Sequence, residues 1–157
     1  MRVLLLSDSH GAVRRMHSVI EQEADCKTVF FLGDGLADLE QVRNDFPDRI
    51  FVAVCGNMDL KSAYTSYDVF AYKYLEGHTI IATHGHRAAV RTTLTDYLQK
   101  AQGVMADLAL YGHTHRKHAE TRNGVLFVNP GALCDGSYAV LELTDTGTDV
   151  QFFRCAF

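Results

Sequence analysis

The apolar residues fall in short blocks, and the spacing within the blocks alternates between two periods. "RVLLL" at 2–6 is a nearly continuous apolar run of strand length and reads as a buried strand. Val13, Met16 and Ile20 recur at intervals of three and four and predict a helix over about residues 12–24. "TVFFL" at 28–32 is a second strand. Leu36, Leu39, Val42 and Phe46 predict a second helix, and "RIFVAV" at 49–54 a third strand. Strand–helix–strand–helix–strand implies parallel strands joined by right-handed crossovers.

The second half is richer in strands. "DVFAYKYLEGHTIIAT" at 68–83 reads as a strand pair turning at Glu76-Gly77. Val90, Leu94, Tyr97, Leu98 and Ala101 form a helical stripe, and "DLALY" at 107–111 follows as a strand. "HAETRNGVLFVNP" is a hairpin with Asn123-Gly124 at its tight turn, and "SYAVLELTDTGTDVQFFRCA" is another with a polar turn. The pattern predicts an α/β fold of two packed mixed β-sheets flanked by helices. No linker, repeat or low-complexity tract interrupts it. One domain over 1–157 is expected, with Pro47 and Pro130 at element boundaries.

Composition narrows the class. A chain of 157 residues, 47% hydrophobic and 22% charged, can bury a sizeable core. A formal net charge of -4 weighs against a broad nucleic-acid surface. The small basic groups Arg14-Arg15, Arg87 with Arg91, and Arg116-Lys117 read as solvated surface. The apolar stretch Val3–Leu6 is too short for a signal segment or a membrane span, so a cytoplasmic location without a membrane partner is expected. Cys26, Cys55, Cys134 and Cys155 show no C-x-x-C pair, and buried free thiols are expected.

The chemistry lies where the apolar runs stop. "VLLL" leads into Asp8 and His10, "VFFL" into Asp34, and "FVAVC" into Asn57. "IIAT" leads into His84 and His86, "LALY" into His113 and His115, and "LFV" into Asn129. In α/β sheets, ligands gather beyond the carboxyl ends of strands. Five of the eight histidines fall in three of these motifs. Neutral imidazoles do not stabilise one another and protonated ones repel, so a shared cation explains the crowding. In extended chain His113 and His115, two residues apart, point to one side. Gly33, Gly56 and Gly112 directly precede Asp34, Asn57 and His113, letting the chain turn sharply off each strand.

Each motif alone fits an ordinary turn or cap. Their collective order is far more specific. The donors are carboxylate, amide oxygen and imidazole, with no thiolate unless Cys55 turns inward. Such a set suits Mn, Fe, Co, Ni or Zn without selecting among them. Seven donors exceed one tetrahedral ion and fit two ions sharing a carboxylate, which at about 3.5–4 Å separation clamp an in-line displacement. A closed structural site needs only four ligands.

These motifs resemble those of the calcineurin-like metallophosphoesterases. The resemblance covers nearly the whole chain: D-x-H at Asp8 and His10, G-D at Gly33-Asp34, G-N-x-D at Gly56–Asp59, H-G-H at His84–His86, G-H-T-H at Gly112–His115 and N-P-G at Asn129–Gly131. The short chain is most similar to the small bacterial and archaeal phosphodiesterases of that superfamily. The resemblance implies a four-layer α-β-β-α sandwich. It implies one metal on Asp8, His10, Asp34 and His115 and another on Asp34, Asn57, His84 and His113, with Asp34 bridging. The cofactors would be two divalent ions per chain, manganese foremost, and the nucleophile a hydroxide spanning them. The substrate would be a small, nucleotide-like phosphodiester. His86 and Asn57 are the catalytic candidates, His86 either touching the substrate phosphate or supporting a neighbour.

Two positions depart from the family pattern. Ala132 replaces the serine common after N-P-G, and Met58 stands where larger members carry a histidine beside the asparagine. Met58 therefore leaves the leaving-group acid unassigned. A nuclease is a second reading, though no basic stripe accompanies the motifs. A scaffold acting through protein partners, like the retromer subunit of this fold, is a third. The full donor set favours catalysis, and self-association is left open.

Overall fold

The computed structural model describes residues 1–60 and 63–156. The first half carries β1 (Arg2–Leu6), α1 (Val13–Gln22), β2 (Thr28–Phe31), α2 (Leu36–Val42) and β3 (Ile50–Ala53). The second carries β4 (Phe70–Leu75), β5 (His78–Thr83), α3 (Thr95–Gly103), β6 (Leu108–Leu110), β7 (Lys117–Arg122), β8 (Val125–Pro130), β9 (Ser137–Thr144) and β10 (Gly147–Arg154). They form two five-stranded sheets, ordered β10-β9-β1-β2-β3 and β4-β5-β6-β8-β7. β1, β2 and β3 run parallel, as the alternating pattern predicts, while β9 closes antiparallel on β1. In the other sheet β5, β6 and β8 are parallel, with antiparallel β4 and β7 at the edges.

Three apolar cores separate four layers, and the period-two alternation of the strands assigns each residue to one of them. Leu4, Leu6, Val29 and Phe31 face Met16, Ile20, Leu36 and Leu39 of the helices. Val3, Leu5, Phe30 and Leu32 face the opposite way and meet Ile80, Ala82, Leu108 and Leu110 between the sheets. Ile81, Ala109 and Phe127 pack outward against Tyr97 and Ala101 of α3. This is the expected α-β-β-α sandwich. Because β1 and β2 are covered on both faces, they carry apolar runs rather than alternation with polar residues.

Two helices depart from their predicted bounds. The stripe from Val90 to Ala101 is not one helix, since α3 begins at Thr95. Gly85 at φ 115° and Ala89 at φ 52° turn the chain sharply. Thr92 and Thr93 donate back to the Ala89 carbonyl, and the Thr93 hydroxyl accepts the Thr95 N–H at 3.2 Å. Val90 and Leu94 are buried all the same. Their spacing reported burial rather than backbone conformation. Phe46 likewise lies beyond α2, after a short 3-10 turn at Arg43–Asp45.

A buried polar tie links the sheets. His78, at the start of β5, donates from Nδ1 to Asp107 and from Nε2 to the Thr144 carbonyl, both at 2.6 Å. Burial pulls its pKa down, but these two acceptors outweigh it and the pKa is raised overall. No described helix is long and apolar enough to cross a membrane.

Candidate metal centre

The loops after β1, β2, β3, β5 and β6 converge at one edge of the sandwich. The first two pair through their backbones: Asp8 N–H donates to Gly33 O at 2.9 Å and His10 N–H to Asp34 O at 3.2 Å. The glycines are used for close approach. A Cβ on Gly56 would stand 2.2 Å from Asp34 Oδ1, and one on Gly112 would stand 1.9 Å from Ser7 Oγ. Asp8, His10, Asp34, His113 and His115 all hold left-handed backbone, with φ between 42° and 68°. For residues with a Cβ this conformation is uncommon, and it clusters at functional sites.

Six of the expected donors form two groups. Asp8, His10 and His115 converge in one, and Asp34, His84 and His113 in the other. Both carboxylates are divided in the same way. Asp8 Oδ2 accepts from the Ser7 hydroxyl at 2.5 Å and from His113 N–H at 3.1 Å. Asp8 Oδ1 is buried without a hydrogen bond among the described residues, 3.1 Å from His115 Nε2 and 3.6 Å from His10 Nε2. Asp34 Oδ1 accepts the Met58 N–H at 2.8 Å. Asp34 Oδ2 faces both groups, 3.2 Å from His84 Nε2 and 3.9 Å from His10 Nε2.

The imidazoles are set for lone-pair donation. His84 Nδ1–H donates to the Leu32 carbonyl at 2.7 Å, which turns Nε2 toward Asp34. A metal-ligating histidine characteristically gives its second N–H to such an acceptor. His84 Nε2 also lies 3.1 Å from His113 Nδ1, while His10 and His115 bring their Nε2 atoms to 3.3 Å. Bare carboxylate oxygen and converging ring nitrogens at these distances match a cation's needs, so the residues fit divalent metal.

Without an ion, a proton takes part of that role. Burial pushes the Asp34 carboxyl up, but its contacts with His84, Met58 N–H and His10 outweigh this and the pKa is lowered. Burial likewise opposes protonation of His84, yet Asp34 and Asp8 raise its pKa overall. His113, half-buried and beside His84 and Arg91, is pulled down to about 4 by partial desolvation and those charges. One imidazole of the second group is thus the preferred proton holder.

The other candidates stand around this core. Asn57 is exposed, on the β3 loop whose next backbone N–H holds Asp34. The His86 ring centroid lies 5.6 Å from that of His84, and its buried Nδ1 has no hydrogen bond among the described residues. Burial, then the His84 and Arg87 charges, lower its pKa, favouring the neutral ring. Met58 is 69% exposed. Cys55 does not turn into the centre, for its Sγ faces the carbonyls of Gly56 and Asp59. The nearby thiol is Cys134, which with Asp135 approaches His115. It sits five residues past Asn129 in "NPGALCD", a proximity the sequence offered. The expectation of buried thiols holds for Cys26 and Cys55, while Cys134 and Cys155 are only half-buried.

Two supporting residues went unassigned in the sequence. Asp59 accepts four backbone N–H groups, from Asp34 and Gly56 on one oxygen and from Gly35 and Leu36 on the other, all at 2.8–2.9 Å. It locks the β2 loop to the β3 loop. Asn129, fully buried, donates to Gly112 O and Thr114 Oγ1 and accepts from Gly131 N–H, holding the chain that presents His113 and His115. Each stands in a quoted motif, but nothing in the motif separates a ligand from a brace.

The sequence profile of the calcineurin-like phosphoesterase superfamily domain matches residues 1–146. The chain is similar to the Bacillus subtilis protein named Probable metallophosphoesterase YsnB, 28% identical over 98% of this chain and 90% of that one. It is 26% identical to a phosphodiesterase of Methanocaldococcus jannaschii, over 85% of each chain. Among solved structures, a predicted phosphoesterase of Streptococcus pneumoniae superposes with a TM-score of 0.81 at 29% identity, covering 98% of this chain and 88% of that one. Zinc-bound Vps29 of Entamoeba histolytica shares the fold, with a TM-score of 0.76 at 18% identity over 99% and 98% of the two chains. The chain therefore belongs to the calcineurin-like phosphoesterase superfamily and is a metallophosphoesterase.

Proposed function

We propose that this protein hydrolyses small, nucleotide-like phosphodiesters using two divalent ions, manganese foremost. The observation that carries the reading is Asp8 Oδ1, buried, without a hydrogen bond among the described residues and turned into a ring of imidazoles. One ion would be held by Asp8, His10, Asp34 and His115, the other by Asp34, Asn57, His84 and His113. Bound there, the ions supply Lewis acidity to a phosphoryl oxygen and acidify a water to a pKa of roughly 7.

The chain's own residues do the positioning. Ser7 and the His113 N–H keep Asp8 from rotating, and Met58 N–H does the same for Asp34. Asp34 Oδ2 is the atom shared between the two groups. Asn129 and Asp59 keep the loops in register. His86, neutral and at the border of the second group, contacts a phosphoryl oxygen of the substrate. The phosphodiesterase name of the archaeal relative supports a diester over a monoester. The likeness to Vps29 is one of fold alone, and the donor set kept here supports turnover.

The test is reconstitution with Mn, followed by a panel of phosphomonoesters, phosphodiesters and cyclic nucleotides. Diester hydrolysis that chelator abolishes and Mn restores is expected, with close to two ions bound per chain. Saturation at one ion, with no effect of Asn57→Ala or His84→Ala, overturns the two-ion assignment. Turnover of monoesters alone overturns the diester assignment.

A further inference from the structure

A cleft of about 610 Å³ opens beside the loop that carries His113 and His115, between the turns at 90–94 and β7. That is within the size range of small-ligand sites, about 300–1,000 Å³. One wall includes Thr114, between the two histidines, and Arg116, just beyond them. Across from it Arg91 donates to the His113 carbonyl at 3.2 Å. The cleft and the candidate metal centre thus border the same loop.

Its charge runs against that of the chain. Arg91, Arg116, Lys117 and Arg122 line it with a single carboxylate, Glu120, in a protein of formal net charge -4. Glu120 is engaged by Arg122 at 3.1 Å and His118 at 3.5 Å. Among the described residues neither the Arg116 nor the Arg91 guanidinium makes an ion pair, and Arg91 donates to a backbone carbonyl. The two arginines flanking the histidine loop are therefore available to an anion. Arginine matches phosphate with paired N–H donors, and a phosphate monoester carries a charge of about −1.5 to −2. The floor is apolar, with Val90, Leu94 and Tyr111. A ligand with an organic body and a terminal phosphate satisfies both surfaces.

We propose that this cleft is a subsite for a second phosphate. The preferred substrates are then diesters whose retained arm carries a further phosphate group, the scissile phosphoryl lying at the metal centre and the terminal one against Arg116 and Arg91. This rests on the phosphodiesterase reading above. The cleft is open but local, which suits a compact bisphosphate and not a long nucleic-acid track.

The test compares two chromogenic diesters on the full-length, Mn-loaded protein: thymidine 5′-(p-nitrophenyl phosphate) and the same compound with a 3′-phosphate. The 3′-phosphorylated ester is expected to show a kcat/KM at least about tenfold higher, as for one charge-assisted phosphate contact. Arg116→Gln should bring that ratio toward one, and Glu120→Gln, which removes the lone acid, should increase it. An independent readout is calorimetric titration of the metal-free protein with thymidine 3′,5′-bisphosphate. Its affinity should fall in Arg116→Gln, rise in Glu120→Gln and weaken as salt is added. Hydrolysis of both esters with equal efficiency, or a ratio that neither variant moves, overturns the second-phosphate subsite and leaves the phosphodiesterase standing. Hydrolysis of neither ester overturns the phosphodiesterase reading and the substrate role with it, whatever the bisphosphate titration reports.

Discussion

His84 Nε2 lies 3.2 Å from Asp34 Oδ2, and the opposite nitrogen of the ring is fixed by the Leu32 carbonyl at 2.7 Å. The pair favours a proton between them in the ion-free protein, with His84 raised and Asp34 lowered. An incoming ion must expel that proton. Metal affinity should therefore fall as pH drops through the raised His84 value, by about tenfold per pH unit for each proton displaced. Calorimetry in buffers of different ionisation enthalpy should detect proton release that grows as pH is lowered toward and below the raised value. Release that does not grow on acidification would show that His84 is already neutral.

Gly56 and Asp59 lead to a separation of stability from metal binding. Gly56→Ala would drive a Cβ into Asp34 Oδ1 and the Asp34 backbone nitrogen. Overpacking of this kind costs about 1–3 kcal/mol, and here the displaced group is the shared carboxylate. The chain should still fold, while binding of both ions weakens. Asp59→Asn exchanges acceptor for donor opposite two backbone N–H groups and should cost about 2–3 kcal/mol. Urea melts and ion titrations of both variants would distinguish these effects. Unaltered ion binding in Gly56→Ala would mean that Asp34 is not a ligand.

The tie at His78 makes overall stability depend on pH. Its folded-state pKa lies above the ordinary value of 6.5 because Asp107 and Thr144 both accept from the charged ring. The stabilisation is therefore complete below about pH 6.5 and is lost as pH rises through the folded value. Urea midpoints should decline from pH 6 toward pH 9. His78→Phe should flatten that slope and cost about 1–3 kcal/mol at pH 6, where Asp107 and the Thr144 carbonyl lose a charged donor. An unchanged slope in the variant would place the effect elsewhere.

Met58 supplies no proton, and its side chain is largely in solvent. Placed proton donors are worth on the order of 10² to 10⁴ in rate. The protein should cleave bis-nitrophenyl phosphate readily and alkyl diesters slowly, since nitrophenolate leaves without protonation. Met58→His should accelerate the alkyl esters by about tenfold or more while changing the nitrophenyl ester little. A parallel loss on alkyl esters in His86→Ala would identify that ring as the existing donor. Uniform effects across leaving groups in both variants would remove proton delivery from either position.

Much of the architecture was legible because the strands are covered on both faces. "RVLLL" and "TVFFL" could hardly be anything but buried strands, and the donors stand immediately after them. The turn at 85–94 was misread because Val90 and Leu94 bury themselves at helical spacing while Gly85 and Ala89 bend the backbone away from a helix. Asp8 and Asp34 were recognisable as candidate donors, but not which oxygen of each stays bare, since that depends on the rotamer of adjacent Ser7 and on His113 and Met58 arriving from other loops. The bracing by Asp59 was hidden for a like reason, since the N–H groups it accepts come from the β2 loop as well as from its own.

The left-handed backbone at Asp8, His10, Asp34, His113 and His115 makes this edge of the sandwich a place where natural drift has a direction. Each strained residue costs of order 1 kcal/mol or more, and glycine would relieve it. A lineage released from selection for turnover would become sturdier by exchanging these side chains one by one. Holding all five side chains there sets backbone strain against the chemistry those side chains offer, a trade readable from dihedral angles. It also tells a protein engineer where thermostability is cheapest to gain and activity is first to be lost.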